Sequence, residues 1–109
     1  MSCAGLIIAS VANGQSPGVF APVASFITDD PNPQVGDTMD FYDTSTNVPT
    51  SWTWTLNGNL YSNDQNPSGL YISSQGAITI GLTVSNFAGS SSCSTTYYPE
   101  PTGGGRNPP

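Results

Sequence analysis

Residues 51–67, SWTWTLNGNLYSNDQNP, decide the fold. The first six of them alternate, which places Trp52, Trp54 and Leu56 on one side of an extended strand. The Asn57-Gly58 pair that follows is a strong signal for a type I′ turn, because both central positions of that turn need positive φ. The stretch therefore predicts an amphipathic β-strand that ends in a hairpin.

The rest of the chain repeats this pattern of short alternating segments separated by turn residues. The clearest segment is 77–86, AITIGLTVSN, in which every second residue from Ile78 to Val84 is apolar. We expect further strands at 23–27, 38–42 and 91–98. Because no window of useful length shows helical periodicity, the sequence predicts an all-β domain of six or seven strands, arranged as a β-sandwich.

Composition and charge restrict the function. Charged residues make up 7% of the 109 residues, against roughly 25% in an average soluble domain. Arg106 is the single cation, histidine and lysine are absent, and the net charge is −6. Such a chain repels phosphate backbones and anionic lipid heads, so we predict binding to neither nucleic acid nor membrane. Without imidazole or amine chemistry, we predict no enzyme, no catalytic residues and no cofactor.

The chain divides into an N-terminal arm (1–21), a folded domain (22–98) and a Pro/Gly-rich tail (99–109). The arm contains the apolar run Leu6-Ile7-Ile8 but no basic residue, which argues against a secretory signal peptide. The tail, PEPTGGGRNPP, lacks the apolar residues of a core. We expect arm and tail to contact neighbouring chains, with Leu6, Ile7 and Ile8 as candidate contacts.

Several motifs follow one another in a distinctive order along residues 22–98. They are PVASF at 22–26, FYDTST at 41–46, PTSWTW at 49–54, QNP at 65–67, Tyr71, Gly76, LTVSN at 82–86 and Ala88-Gly89. Together they resemble a polycystic-kidney-disease (PKD) repeat, with its F-x-D-x-S and P-x-S-W-x-W segments. The resemblance implies a seven-stranded immunoglobulin-like β-sandwich that serves as a non-catalytic spacer, adhesion or display module.

The resemblance and the alternation together give a predicted core. Its members are Phe41, Trp54, Leu56, Tyr71, Ile80, Leu82 and Val84. The resemblance implies that Trp54 is the buried core tryptophan and that Asp43 caps a turn. The chain departs from the family at 55–59, where TLNGN replaces Asp-Phe-Gly-Asp-Gly, and at Gly69, which replaces a histidine. The acidic turn typical of the family is therefore neutral here.

Two further groups of residues have alternative interpretations. Asp29, Asp30 and Asp43 are weak candidates for binding calcium, which prefers several oxygen ligands. Because no EF-hand loop is present, we favour turn capping and solvated strand faces, and we predict no metal site. Trp52 either packs at the rim of the core or remains available to contact a partner, including a glycan.

The two cysteines, Cys3 and Cys93, lie in the arm and in the last predicted strand. An intrachain bridge between them would close a loop of about 90 residues and stabilise the fold by roughly 4 kcal/mol in the chain-entropy model. An interchain bridge and two buried thiols are the alternatives.

Three classes of function are compatible with these features to different degrees. We favour a structural protein of a bacteriophage virion that decorates or cements the capsid by binding a protein lattice or copies of itself. Virions assemble in the host cytoplasm, where a PKD-like domain needs no secretion signal. The alternative is an extracellular adhesion, filament or glycan-binding module of a bacterial surface. An enzyme is the third class, which the residue inventory disfavours.

Overall fold

The computed structural model describes residues 20–101, which contain eight β-strands and no helix. The strands are β1 (Phe26–Thr28), β2 (Thr38–Met39), β3 (Phe41–Asp43), β4 (Ser51–Leu56), β5 (Asn59–Ser62), β6 (Leu70–Tyr71), β7 (Ile78–Asn86) and β8 (Gly89–Tyr97). Accordingly, this part of the chain offers no helical segment that could cross a membrane. The predicted all-β fold is confirmed.

The strands form three antiparallel sheets. The largest has four strands in the order β5–β4–β7–β8, and two smaller sheets consist of β1–β3 and β2–β6. Within the large sheet, β4 lies along β7 from Ser51 opposite Ser85 to Leu56 opposite Ile80. The turn between β7 and β8 is a two-residue turn, because Asn86 already pairs with Gly89.

The predicted hairpin after β4 is confirmed. Asn57 and Gly58 have φ values of 51° and 87°, so both residues adopt the left-handed conformation that a type I′ turn requires. The hairpin also contains an irregularity that the sequence did not reveal. Trp54 lies opposite Ser62 but Thr55 lies opposite Leu60, which leaves one extra residue in β5.

An aromatic cluster joins the sheets. The ring of Trp54 in β4 lies 5.0 Å from that of Phe26 in β1 and 5.7 Å from that of Phe41 in β3, measured between centroids. Side chains of the β1–β3 sheet therefore meet those of the four-stranded sheet across one core. This arrangement is consistent with a β-sandwich.

Most of the predicted core residues lie in this cluster. At most 1% of the surface is exposed for five of them: Phe41, Trp54, Ile80, Leu82 and Val84. Leu56 is half-buried against the cluster. The prediction for Tyr71 is wrong, because its side chain is 60% exposed. The next residue, Ile72, is 3% exposed and takes the inward position.

The strand predicted at 38–42 is in fact two strands, which pair with different partners. β2 pairs with β6, whereas β3 pairs with β1. The break falls at Asp40, whose backbone N–H donates to Asp29 Oδ1 at 2.9 Å. The resemblance implied seven strands, whereas residues 20–101 contain eight, two of which come from this divided segment.

Replacing Trp54 tests its place in the core. Trp54→Phe should lower the free energy of unfolding by about 2–3 kcal/mol, because it leaves a cavity and removes a buried hydrogen bond. That bond runs from Nε1 to the Asp64 carbonyl oxygen at 2.8 Å. Trp52→Phe is the matched control: it also removes an indole hydrogen bond, from Nε1 to Asp43 Oδ2 at 2.9 Å. Because Trp52 is only half-buried, no comparable cavity forms and we expect a loss of about 1 kcal/mol. Urea denaturation followed by circular dichroism measures both, and equal losses would contradict this account.

Candidate functional site

The outer surface of β4, β7 and β8 consists of hydroxyl residues, and we call it the hydroxyl face. It follows from the alternation that buries Trp54, Leu82 and their neighbours, since the residues between them point to the opposite side. Its cross-strand rows are Ser51–Ser85–Ser90, Thr53–Thr83–Ser92, Thr55–Gly81–Ser94 and Thr79–Thr96. Every member except Gly81 carries a hydroxyl group, and none carries a charge.

Hydrogen bonds between strands order these hydroxyls. The side-chain oxygens of Thr83 and Ser92 are 2.7 Å apart, and those of Thr79 and Thr96 are 2.9 Å apart. A hydroxyl can donate one hydrogen bond and accept two, so each pair retains capacity for a partner. The face can therefore form hydrogen bonds with another surface without burying a charge.

Gly81 shapes the middle of the hydroxyl face. A Cβ atom at this position would lie 2.6 Å from Thr55 Oγ1, closer than real Cβ contacts allow. Only glycine lets the Thr55 side chain lean over the neighbouring strand in this way. A shallow hollow of about 310 Å³ lies at this point, lined among others by Thr55, Thr83 and Ser94.

Five of the seven acidic residues lie between positions 29 and 43, around the two smaller sheets, and several of them serve as local caps. Asp29 Oδ1 accepts from the Asp40 N–H at 2.9 Å, and Asp40 Oδ1 accepts from the Gly69 N–H at 2.9 Å. Asp37 Oδ2 accepts from the Gln34 N–H at 3.0 Å. The domain is therefore acidic around these sheets and uncharged on the hydroxyl face.

The predicted calcium candidates do not form one site. Asp43 pairs with Phe26 near the start of β1, whereas Asp29 follows the end of that strand. Nor does any group of three or more metal-binding side chains occur within residues 20–101.

Asp43 instead caps its surroundings. Its Oδ1 accepts from the Ser45 N–H at 2.9 Å, and its Oδ2 accepts from Trp52 Nε1 at 2.9 Å and Gln65 Nε2 at 3.1 Å. The hydrogen bond from Trp52 Nε1 to Asp43 fixes the indole ring of Trp52, the residue predicted as a possible partner contact, against the domain. The hydrogen bond from the Ser45 N–H, two residues further along the chain, is the predicted turn-capping interaction of Asp43.

One carboxyl group has a strongly altered affinity for protons. The pKa of Asp30 is raised from 3.8 to about 6, mainly by desolvation and then by a hydrogen bond to Asp37 and the negative charges of Asp37 and Asp29. Asp30 is also one of the three predicted calcium candidates. Asp30 lies beside Asp37 and Asp29, and holding a proton avoids placing like charges next to one another, which is why its pKa is raised.

Stability should therefore depend on pH through Asp30. Between pH 4 and 6 the folded protein binds more protons than the unfolded chain, so the free energy of unfolding falls as pH rises through this window. Asp30→Asn removes this titration and still offers Asp37 a hydrogen-bond donor, so it should flatten the slope. Asp64→Asn controls for the loss of one negative charge. Urea titrations at pH 4, 5 and 6 measure the slope, and an unchanged slope in Asp30→Asn would refute the assignment.

A second surface lies at one end of the large sheet, where three segments meet beside the β7–β8 turn. The Asn86 side chain holds them together. Its Nδ2 donates to the Phe20 carbonyl at 2.9 Å and to the Asn47 carbonyl at 2.8 Å, and its Oδ1 accepts from the Ala88 N–H at 2.7 Å. Asn47 Nδ2 in turn donates to the Ala21 carbonyl at 2.9 Å. Residues 20 and 21, the last two of the predicted arm, thus bond to the domain.

Two apolar side chains protrude from this end: Val48 is 76% exposed and Phe87 is 83% exposed. We call this pair the knob. Val48 also has a φ of 51°, which is rare for a β-branched residue and is further disfavoured before a proline such as Pro49. Backbone strain of this kind persists where surrounding contacts enforce it, and it concentrates at functional positions.

The strain at Val48 can be released by substitution. Asparagine tolerates the left-handed conformation better than a β-branched residue. Val48→Asn should therefore raise the free energy of unfolding by about 0.5–1 kcal/mol. Val48→Ile, which keeps the β-branch, should not. Chemical denaturation of both variants measures the difference, and a destabilised Val48→Asn protein would show that the apolar side chain matters more to the fold than the strain.

Four predicted contact or bridging residues lie outside residues 20–101: Cys3, Leu6, Ile7 and Ile8. Cys93 lies in β8 opposite Leu82 and packs half-buried against the core. The pairing of Cys3 with Cys93 and the contacts of the arm therefore stay predictions.

The two surfaces offer different chemistry to a partner. The hydroxyl face offers hydrogen bonds without charge, and the knob offers apolar contact. None of the residues named for either surface is a histidine, a lysine or a carboxylate. No protein-family model matches the chain, and no curated protein matches it in sequence.

Proposed function

We propose that the protein is a non-enzymatic structural component of a bacteriophage virion that binds the capsid lattice through its hydroxyl face. The observation that carries this proposal is the regular, uncharged composition of that face. Burying a charge is costly unless a partner charge meets it, whereas a hydroxyl needs only a hydrogen bond. The face can therefore lie against a protein surface without matched charges on the other side.

We further propose that the domain is an immunoglobulin-like sandwich of the PKD type. If β2 and β3 are taken as one strand interrupted at Asp40, they lie between β1 and β6 in a three-stranded sheet. The Phe41 N–H donates to the Pro67 carbonyl at 2.9 Å, which supports this continuity. The count is then seven strands, with Trp54 at the centre of the core.

The distribution of charge supports one orientation on the lattice. With the hydroxyl face against the capsid, the acidic clusters around β1, β2 and β3 remain in solvent. There they need no partner, and their negative charge helps to keep neighbouring particles apart. We propose that the parts of the arm and the tail that lie outside residues 20–101 add contacts with neighbouring chains, where a segment that joins a sheet as an added strand would bind through main-chain hydrogen bonds.

A charge on the hydroxyl face tests the proposal. Ser94 is exposed in the middle of that face, opposite Gly81. Ser94→Lys should reduce incorporation into virus-like particles by roughly tenfold or more, because docking would bury an unpaired ammonium group. Ser68→Lys is the matched control, since Ser68 is exposed between β5 and β6, outside the face. Density-gradient purification followed by quantitative mass spectrometry measures incorporation.

Two outcomes would contradict the proposal in different ways. If Ser94→Lys is incorporated as well as the wild type, the hydroxyl face is not the docking surface. If the wild-type chain is absent from assembled particles but binds immobilised glycans, the extracellular adhesion module is the better assignment. Both variants need to show the wild-type circular dichroism spectrum, so that loss of folding is separated from loss of docking.

A further inference from the structure

A pocket lies at the end of the domain opposite the knob, and we call it the end pocket. Its volume is about 230 Å³. Four aliphatic side chains line it: Leu56, Leu70, Ile72 and Ile78. Asn57, Tyr71, Ser73 and Ser74 complete its lining, and none of these residues is charged.

The strand directions place the knob and the end pocket at opposite ends. β7 begins at Ile78, in the wall of the pocket, and ends at Asn86, directly before Phe87. β4 runs the other way, from Ser51 near Val48 to Leu56 in the pocket wall. Nine residues of extended strand separate the two surfaces by about 27 Å.

The pocket has room for the aromatic ring of the knob. A cavity of roughly 150 Å³ lined by Leu, Ile and Phe is large enough to hold benzene. The end pocket is open to solvent on one side, but its volume is larger than that and its wall is partly aliphatic, so a phenyl ring such as that of Phe87 matches it in size. None of the residues that form the knob or line the end pocket is charged, so the contact itself buries no charge.

We propose that the knob of one copy of the chain docks into the end pocket of a second copy, head to tail. One chain thus carries both a protruding apolar group and an apolar pocket, separated along the strand axis. Such a contact is heterologous, because different surfaces of the two copies meet, and it leaves a free knob and a free pocket at the ends. Repetition produces an open row of copies unless the rotation between neighbours closes it into a ring.

The knob is preorganised for this contact. Asn86 fixes Phe20, Asn47 and Ala88 by hydrogen bonds, so the loops that carry Val48 and Phe87 are held before any partner arrives. A fixed loop loses less conformational freedom on binding than a mobile one. The contact is small, so a single pair of copies should associate weakly and an array should bind more tightly.

Sedimentation velocity on the full chain, from micromolar to millimolar concentration, tests this proposal. The wild type should form species larger than dimers as concentration rises. Phe87→Ser should need roughly thirtyfold higher concentration, which is the effect of removing a central interface side chain. Leu60→Ser is the matched control: Leu60 is 67% exposed but belongs to neither surface, so its variant should associate like the wild type.

The pocket side is tested with Ser74→Trp, which places an indole ring over the pocket from an exposed position, and with Ser73→Asp, which puts a charge at its mouth. Each should prevent association on its own. An equimolar mixture of Phe87→Ser and Ser74→Trp is the decisive sample. The first variant keeps its pocket and the second keeps its knob, so the mixture should form a 1:1 dimer and nothing larger.

Three results would overturn the proposal: a wild type that stays monomeric at millimolar concentration, a Phe87→Ser variant that associates like the wild type, or a mixture that stays monomeric while both variants are folded by circular dichroism. The inference goes beyond the proposed docking on a capsid and uses neither the hydroxyl face nor a lattice. The samples contain no particles, so failure here leaves the incorporation experiment with Ser94→Lys unaffected.

Discussion

The burial of one indole ring between two sheets is the constraint on which the rest of the structure depends. Trp54 contacts Phe26 and Phe41 from the β1–β3 sheet, and its N–H is satisfied by the Asp64 carbonyl. Because a strand alternates, an inward Trp54 forces Thr53 and Thr55 outward. Because β4, β7 and β8 pair in a fixed register, the residues opposite Trp54 also point inward and those opposite Thr53 and Thr55 also point outward. The register therefore determines both the core and the hydroxyl face.

Long regular elements could be predicted from the sequence, and short ones could not. The strands at 51–56 and 78–86 contain enough alternating residues to fix which side is buried, and the Asn57-Gly58 turn carries its own signal. β6 has only two residues, too few to choose between Tyr71 and Ile72 as the inward side chain. The division at Asp40 depends on its bond to Asp29, a tertiary contact that no local pattern reveals.

The candidate surfaces, too, could be predicted from the sequence only where a local pattern specifies them. The hydroxyl residues of β7 and β8 are visible in the sequence, but the rows appear only once the register between strands is known. The knob depends on three segments that are distant in sequence and meet at Asn86. Its one local signal, a β-branched residue before a proline, predicts an extended conformation, whereas Val48 adopts the left-handed one. A conflict between local preference and structure of this kind is expected at functional positions.

The two proposed contacts use perpendicular directions of the same sandwich. The hydroxyl face is the outer side of the four-stranded sheet, so a partner that docks on it approaches perpendicular to the sheet. The knob and the end pocket lie at the two ends of β7, so association through them occurs along the strand axis. One copy can therefore make both contacts simultaneously, because neither surface covers the other. Where the head-to-tail contact adds little rotation between neighbours, a row of copies would present its hydroxyl faces on one side, and individually weak contacts to a lattice would reinforce one another.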